Sequence, residues 1–135
     1  MPIIFPCLLR SGILLVDTQA ALWLLSKNER LPPTARELIF DRSVDCFLSA
    51  ASVWEVAIKR RLGKLDASAD FHIHLERHGV RGLPIYDRHA TLVADLPLHH
   101  HDPFDRLLVA QAIAEGMSIL SADEILRKYD VPVLW

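Results

Sequence analysis

A chain of 135 residues, 51% of them hydrophobic, has room for one packed domain and is too apolar for a disordered one. A formal net charge of −2 excludes a protein that coats nucleic acid through bulk positive charge, although an enzyme with local basic groups remains open, and five glycines argue against a glycine-rich phosphate loop. Cys7 and Cys46 have the spacing of neither a disulfide scaffold nor a zinc site, and no apolar run reaches the length of a membrane span, so a soluble cytoplasmic protein is the default.

In chain order, residues 1–12 read as an extension ahead of the fold, and Pro2 and Pro6 make its start a poor signal peptide. The continuous apolar run ILLV at 13–16 is the pattern of a buried parallel strand. Residues 20–26 read as a helix, broken by Leu31-Pro32-Pro33, and 34–41 as a second one. A strand at 46–49, with Cys46 buried as a small hydrophobe, leads into a long helix at 50–62 that Gly63 stops. A helix at 70–78, a strand at 82–85 and a helix at 87–95 follow. Asp102-Pro103 opens the next helix as cap and first helical position, and its nearly all-apolar run ends at Gly116. A strand at 118–120, a short helix at 121–128 and a strand at 131–134 complete the chain. Alternating strands and helices predict an α/β fold, three layers α/β/α around a central parallel sheet of four to five strands.

Four acids stand where strand-like runs give way to helix-like runs: Asp17, Glu55, Asp105 and Asp123. In a parallel α/β sheet such junctions share the carboxyl edge, where ligands bind. Four carboxylates meeting there would repel one another unless protonated or bridged by cations, and hard oxygen donors suit Mg²⁺, with Mn²⁺ as a substitute. Each acid also has a structural reading. Asp17 or Thr18 can cap a helix, Ser52-x-x-Glu55 and Ser121-x-x-Glu124 fit capping boxes, Asp105 can pair with the Asp102 cap, and Asp123 suits a helix N-terminus. Taken jointly the balance moves to a metal site, because Glu55 lies among Val53, Trp54, Val56, Ala57 and Ile58, where a lone buried carboxylate is costly.

The segments ILLVDTQAALWLL, LSAASVWEVAIKRRLGKL, LPLHHHDPFDRLLVAQAIAEG and ILSADEILRKYDVPVLW, in this order, resemble the PIN domain family, specifically its VapC-type ribonuclease toxins. The resemblance covers residues 13–135, which would form the PIN-like nuclease domain. It implies Mg²⁺- or Mn²⁺-dependent hydrolysis of RNA by metal-bound water, leaving a 5′-phosphate and a 3′-hydroxyl. Carried across position by position, Asp17, Glu55, Asp105 and Asp123 match the acidic quartet, and Thr18 and Ser121 the polar positions beside it. The resemblance also implies an antitoxin partner lying in a groove near the site, and a homodimer. Gln19 departs from the pattern, which has a small polar residue or His there.

An RNA substrate needs local positive charge. Lys59, Arg60, Arg61 and Lys64 follow Glu55, and Arg106 follows Asp105; the plain readings are a solvated helix face for the first group and an ion pair for Arg106. His99, His100 and His101 point in different directions and read as a loop at the pocket mouth, not a zinc site. Trp23, Trp54 and Trp135 read as core or interface packing. Apolar residues in the helices at 20–26 and 34–41 exceed what one core needs and suggest the dimer. Two alternatives from other classes are a catalytically silent binding module, through the capping readings, and a Mg²⁺-binding phosphotransfer receiver domain. The latter fits poorly, since Glu55 lies within a helix and no Lys follows Ile119-Leu120.

Overall fold

The computed structural model describes residues 12–135; the expected N-terminal extension, but for Gly12, lies outside the described residues, as does Cys7. Five strands form one parallel sheet: β1 (Ile13–Val16), β2 (Asp45–Ser49), β3 (Val80–Leu83), β4 (Ser118–Leu120) and β5 (Val133–Leu134). Their order is β3-β2-β1-β4-β5. Six α-helices connect them: α1 (Thr18–Ser26), α2 (Pro33–Phe40), α3 (Ala50–Arg61), α4 (Phe71–Arg77), α5 (Asp87–Leu92) and α6 (Pro103–Glu115). Two 3₁₀ turns lie at Val93–Asp95 and Glu124–Lys128. No helix among the described residues is long and apolar enough to cross a membrane.

The period of two along each strand builds the two faces. Leu14 and Val16 enter one core with Ala20, Leu24, Leu38, Val56 and Phe71, whereas Leu15 enters the other with Leu108, Val109, Ile119 and Leu126. Both faces of the central strand β1 are covered, and it is apolar throughout, as a parallel strand between helices must be, whereas the edge strand β3 exposes Arg81 and Gly82. Cys46 is a free thiol buried in the first core, where desolvation pushes its pKa up to about 12 and leaves it inert.

Several boundaries differ from the sequence pattern for identifiable reasons. The third strand begins at Val80, paired with Cys46, and stops before Pro84, which has no N–H to give to a ladder. Residues 121–128 form no α-helix, since Asp123 is extended and only a 3₁₀ turn follows. The Ser52-x-x-Glu55 capping box does not form: Ser49 caps α3 through Ala51 N–H at 3.0 Å, which puts Ser52 inside the helix. The Ser121-x-x-Glu124 box is likewise replaced by Asp123, whose Oδ1 accepts from Ile125 N–H at 2.9 Å. Gly116 does end α6, at φ 67°, a backbone that other residues adopt only with strain.

The sheet reverses its direction of growth at β1, with β2 on one side and β4 on the other. In doubly wound sheets the ligand crevice opens at such a switch point, outside the carboxyl ends of the strands. Asp17 directly follows β1, and Ser121 directly follows β4. Asp105 does not follow a strand. It reaches the same edge because α6 runs antiparallel to the strand it feeds, so its N-terminus lies at their carboxyl ends. Ser49, at the end of β2, donates from Oγ to Gln111 Oε1 of α6 at 2.5 Å. Both residues are fully buried, and the bond ties the start of α3 to the middle of α6.

Candidate metal centre

Asp17, Glu55, Asp105 and Asp123 line one cleft of about 370 Å³, together with Thr18, Gln19, Lys59 and Asp102. Asp17 follows the last residue of β1 and caps α1, its Oδ1 accepting from Ala20 N–H at 2.8 Å. Its capping reading and its place in the cleft coexist, because a carboxylate has two oxygens. Glu55 lies on the second turn of α3 and is buried. Thr18 Oγ1 stands 2.8 Å from both Glu55 Oε1 and Ser52 Oγ. A hydroxyl has one proton and the carboxylate only accepts, so Thr18 donates to Glu55 and Ser52 completes the set. Lys59 Nζ reaches Glu55 Oε2 at 2.8 Å, and this bond raises the pKa of the lysine.

Burial and crowding show in the acids' proton affinities. Asp17 is pushed up to about 6, first by burial and then by Asp123 and Glu55, against hydrogen bonds from Ser121 and the Ala20 amide. Asp105 is pushed up to about 7, by burial, then by Asp102, Glu55 and Asp17, with His100 pulling the other way. Repulsion among carboxylates is the state a bound cation relieves. The donors are hard oxygens, the set that Mg²⁺ and Mn²⁺ take, so these residues fit such an ion.

The histidine run does more than form a loop. His100 Nε2 lies 2.8 Å from Asp123 Oδ2 and 3.2 Å from Asp105 Oδ2, and the three donors all fall within 4.8 Å of one another. His99 instead packs against Tyr129, with ring centroids 5.0 Å apart. The sequence holds only a faint signal for His100: it stands two residues before the Asp102 cap of a helix that opens at the carboxyl edge.

The basic residues separate. Lys59 lines the cleft. Arg60 turns away and donates from Nε to Ala67 O at 2.6 Å. Arg106 pairs with no acid among the described residues. Its guanidinium donates to Pro97 O at 3.0 Å, Val93 O at 2.9 Å and Leu96 O at 3.4 Å, and lies 3.3 Å from Tyr129 Oη. Those bonds pin the segment leading to His100. Arg106→Ala is therefore expected to lower stability by a few kcal/mol, because three carbonyls lose charge-assisted partners. Denaturant unfolding of wild type and variant checks this, and an unchanged midpoint would mean that the guanidinium does not brace the segment.

Trp23 and Trp135 pack together at 5.8 Å. Trp54 is 58% exposed and lies edge-on to Phe104, so it is not a core residue. α1 leaves Leu22, Trp23 and Leu25 partly buried, and α2 exposes Phe40. A stripe of exposed apolar residues runs along α3 to its C-cap, at Trp54, Ile58 and Leu62, residues four apart on one face.

The PIN domain profile matches residues 14–132. No curated protein matches the chain. Among solved structures the chain is similar to one in VapBC2 from Rickettsia felis bound to a DNA fragment from its promoter. The TM-score is 0.68 at 12% identity, covering 90% of this chain and 97% of that one. It is also similar to a chain of FitAB bound to an IR36 DNA fragment, with TM-score 0.62, 22% identity, and coverage of 90% and 93%. A third likeness is to FitAcB from Neisseria gonorrhoeae, with TM-score 0.55, 18% identity, and coverage of 90% and 96%. At such identities these likenesses speak for the fold alone, and the profile match removes the receiver-domain alternative. A parallel sheet that switches at β1, an acidic cleft at its carboxyl edge and a profile running through nearly all of the chain agree: the protein belongs to the PIN domain family.

Proposed function

We propose that the chain is a Mg²⁺- or Mn²⁺-dependent endoribonuclease of VapC type, acting in the cytoplasm as the toxin of a toxin–antitoxin pair. The observation that carries this reading is the meeting of Asp17, Glu55, Asp105 and Asp123 in one cleft at the β1–β4 switch point. Asp17 and Asp105 are the best direct ligands, since both are pushed towards protonation without a cation. Glu55 and Asp123 complete the set, with Thr18 and Ser121 orienting the carboxylates beside them. When bound, the metal supplies an activated water and charge neutralisation at a phosphodiester. Lys59 is the cationic side chain of the cleft, and its ammonium offers the RNA backbone a counter-charge next to Glu55.

The antitoxin reading rests on a neighbouring cleft of about 540 Å³, walled by Leu22, Trp23, Leu25, Leu65 and Phe71. It shares Gln19, Leu22 and Leu65 with the acidic cleft. A peptide with an apolar face could lie there and reach the acids. VapBC2 and FitAB, the proteins of similar fold, are each described bound to DNA. The homodimer is proposed through the exposed stripe Trp54, Ile58 and Leu62.

Single-stranded RNA should be cut by the purified chain in Mg²⁺ or Mn²⁺ and left intact after chelation. Cleavage that persists in chelator, or none with either ion, overturns the reading. In the second case a folded protein that still binds an antitoxin would favour the silent binding module.

A further inference from the structure

Distances alone would make His100 a third metal ligand beside Asp105 and Asp123. Neighbouring ligands of an octahedral ion with bonds of 2.0–2.1 Å stand about 3.0 Å apart. The separations of 2.8 and 3.2 Å from Nε2 to the two carboxylates match that edge. The other ring nitrogen decides otherwise. His100 Nδ1 accepts the backbone N–H of Asp102 at 3.1 Å. A backbone amide can only donate there, so Nδ1 carries no hydrogen and the proton of the ring sits on Nε2. That N–H points at Asp123 Oδ2, with Asp105 Oδ2 sharing it at longer range. A ligating histidine has the opposite arrangement, a lone pair towards the metal and an N–H donated outward by its second nitrogen.

We propose that His100 is a positioning residue of the metal centre, a fixed Nε2–H donor that holds the Asp105 and Asp123 carboxylates in register without binding the ion. The inference rests on the metal-nuclease reading above. The ring is set on a braced loop. His100 N–H donates to Tyr129 Oη at 2.9 Å, and Arg106 holds Pro97 O of the same segment at 3.0 Å. Asp102, whose amide fixes the tautomer, is itself held as the α6 cap, its Oδ1 accepting from Phe104 N–H at 2.8 Å. The donor joins acids from two elements, the N-terminus of α6 and the segment after β4. It thereby offsets their repulsion and aims their remaining lone pairs into the cleft.

The test compares wild type, His100→Ala and His100→Gln in the full chain, with Mn²⁺ as the probe. Mn²⁺ affinity is read by electron paramagnetic resonance of the free ion, and nitrogen coupling to bound Mn²⁺ by electron spin echo modulation. Thermal midpoints without metal establish that all three are folded. His100→Ala should weaken Mn²⁺ binding roughly 10–100-fold, the usual loss for an outer-shell partner. His100→Gln should recover most of it, because its amide nitrogen donates from a similar reach. Bound Mn²⁺ in wild type should show no histidine nitrogen in direct coordination. A strong nitrogen coupling that disappears in the variants would make His100 a ligand and overturn the proposal. Equal affinity in wild type and His100→Ala would overturn it too, as would a Gln variant as weak as Ala. If wild type binds no Mn²⁺ at all, the metal reading itself fails and takes this inference with it, a result distinct from failure of the histidine alone.

Discussion

Asp17→Asn should reduce RNA cleavage at least about a hundredfold while leaving the fold intact. Loss of even an outer-shell partner of a metal costs roughly 10–100-fold, and Asp17 is proposed as a direct ligand. The substitution separates the two roles of the residue. Asn is as good a helix cap as Asp, so the bond from Ala20 N–H survives. What is lost is the charge that a hard cation needs. Without metal the variant should be the more stable protein, because a buried carboxylate that is pushed up to about 6 no longer has to be ionised at neutral pH. Asp17→Ala makes the contrast, since it also loses the cap, at a cost of about 1 kcal/mol. Cleavage rates and denaturant midpoints for both variants, with and without Mg²⁺, decide the matter. Unchanged cleavage by folded Asp17→Asn would take Asp17 out of the site.

The second large effect is a metal-dependent reversal of the pH profile of stability. Asp17 rises from 3.8 to about 6 on folding, and Asp105 from 3.8 to about 7. Between those limits the folded protein binds more protons than the unfolded chain, so unfolding free energy falls as pH rises. The stabilising protonation is fully present below about pH 4 and is lost as pH rises through about 6 for Asp17 and through about 7 for Asp105. For Asp17 the change corresponds to on the order of 3 kcal/mol. Asp105 is a quarter exposed, and solvent screening makes its share smaller. Saturating Mg²⁺ favours the ionised acids and should flatten or invert this slope. By the same linkage, Mg²⁺ affinity and cleavage should climb as pH rises through 6 to 7. Unfolding midpoints across that window, with metal and with chelator, provide the check. Superimposable profiles under the two conditions would mean that the acids do not hold an ion.

The capping signals explain why the silent-module reading is hard to remove on sequence grounds. Asp17 and Asp123 do cap the segments that follow them. Capping uses one carboxylate oxygen and is written within three residues of chain, so it is always legible. The second oxygen has its partner tens of residues away. Asp123 Oδ2 meets His100, 23 positions earlier, and Glu55 meets Thr18, 37 positions earlier.

The chain on its own determined the elements whose signal is local. The apolar run of β1, the Asp-Pro start of α6, the glycine at its end and the alternation of strands with helices specify a parallel α/β domain, because burial, caps and backbone limits act over a few residues. The four acids were readable for the same reason, each being a polar residue next to an apolar run. Tertiary structure alone decided which of three adjacent histidines faces the acids, since that depends on how the loop before α6 packs on Tyr129. It also decided that Arg106 braces this loop through backbone carbonyls, and that Trp54 stands in solvent while Trp23 packs on Trp135. In each case the physical reason is the same: the direction of a long side chain follows from contacts made by sheet order and helix packing, which no short window of sequence contains.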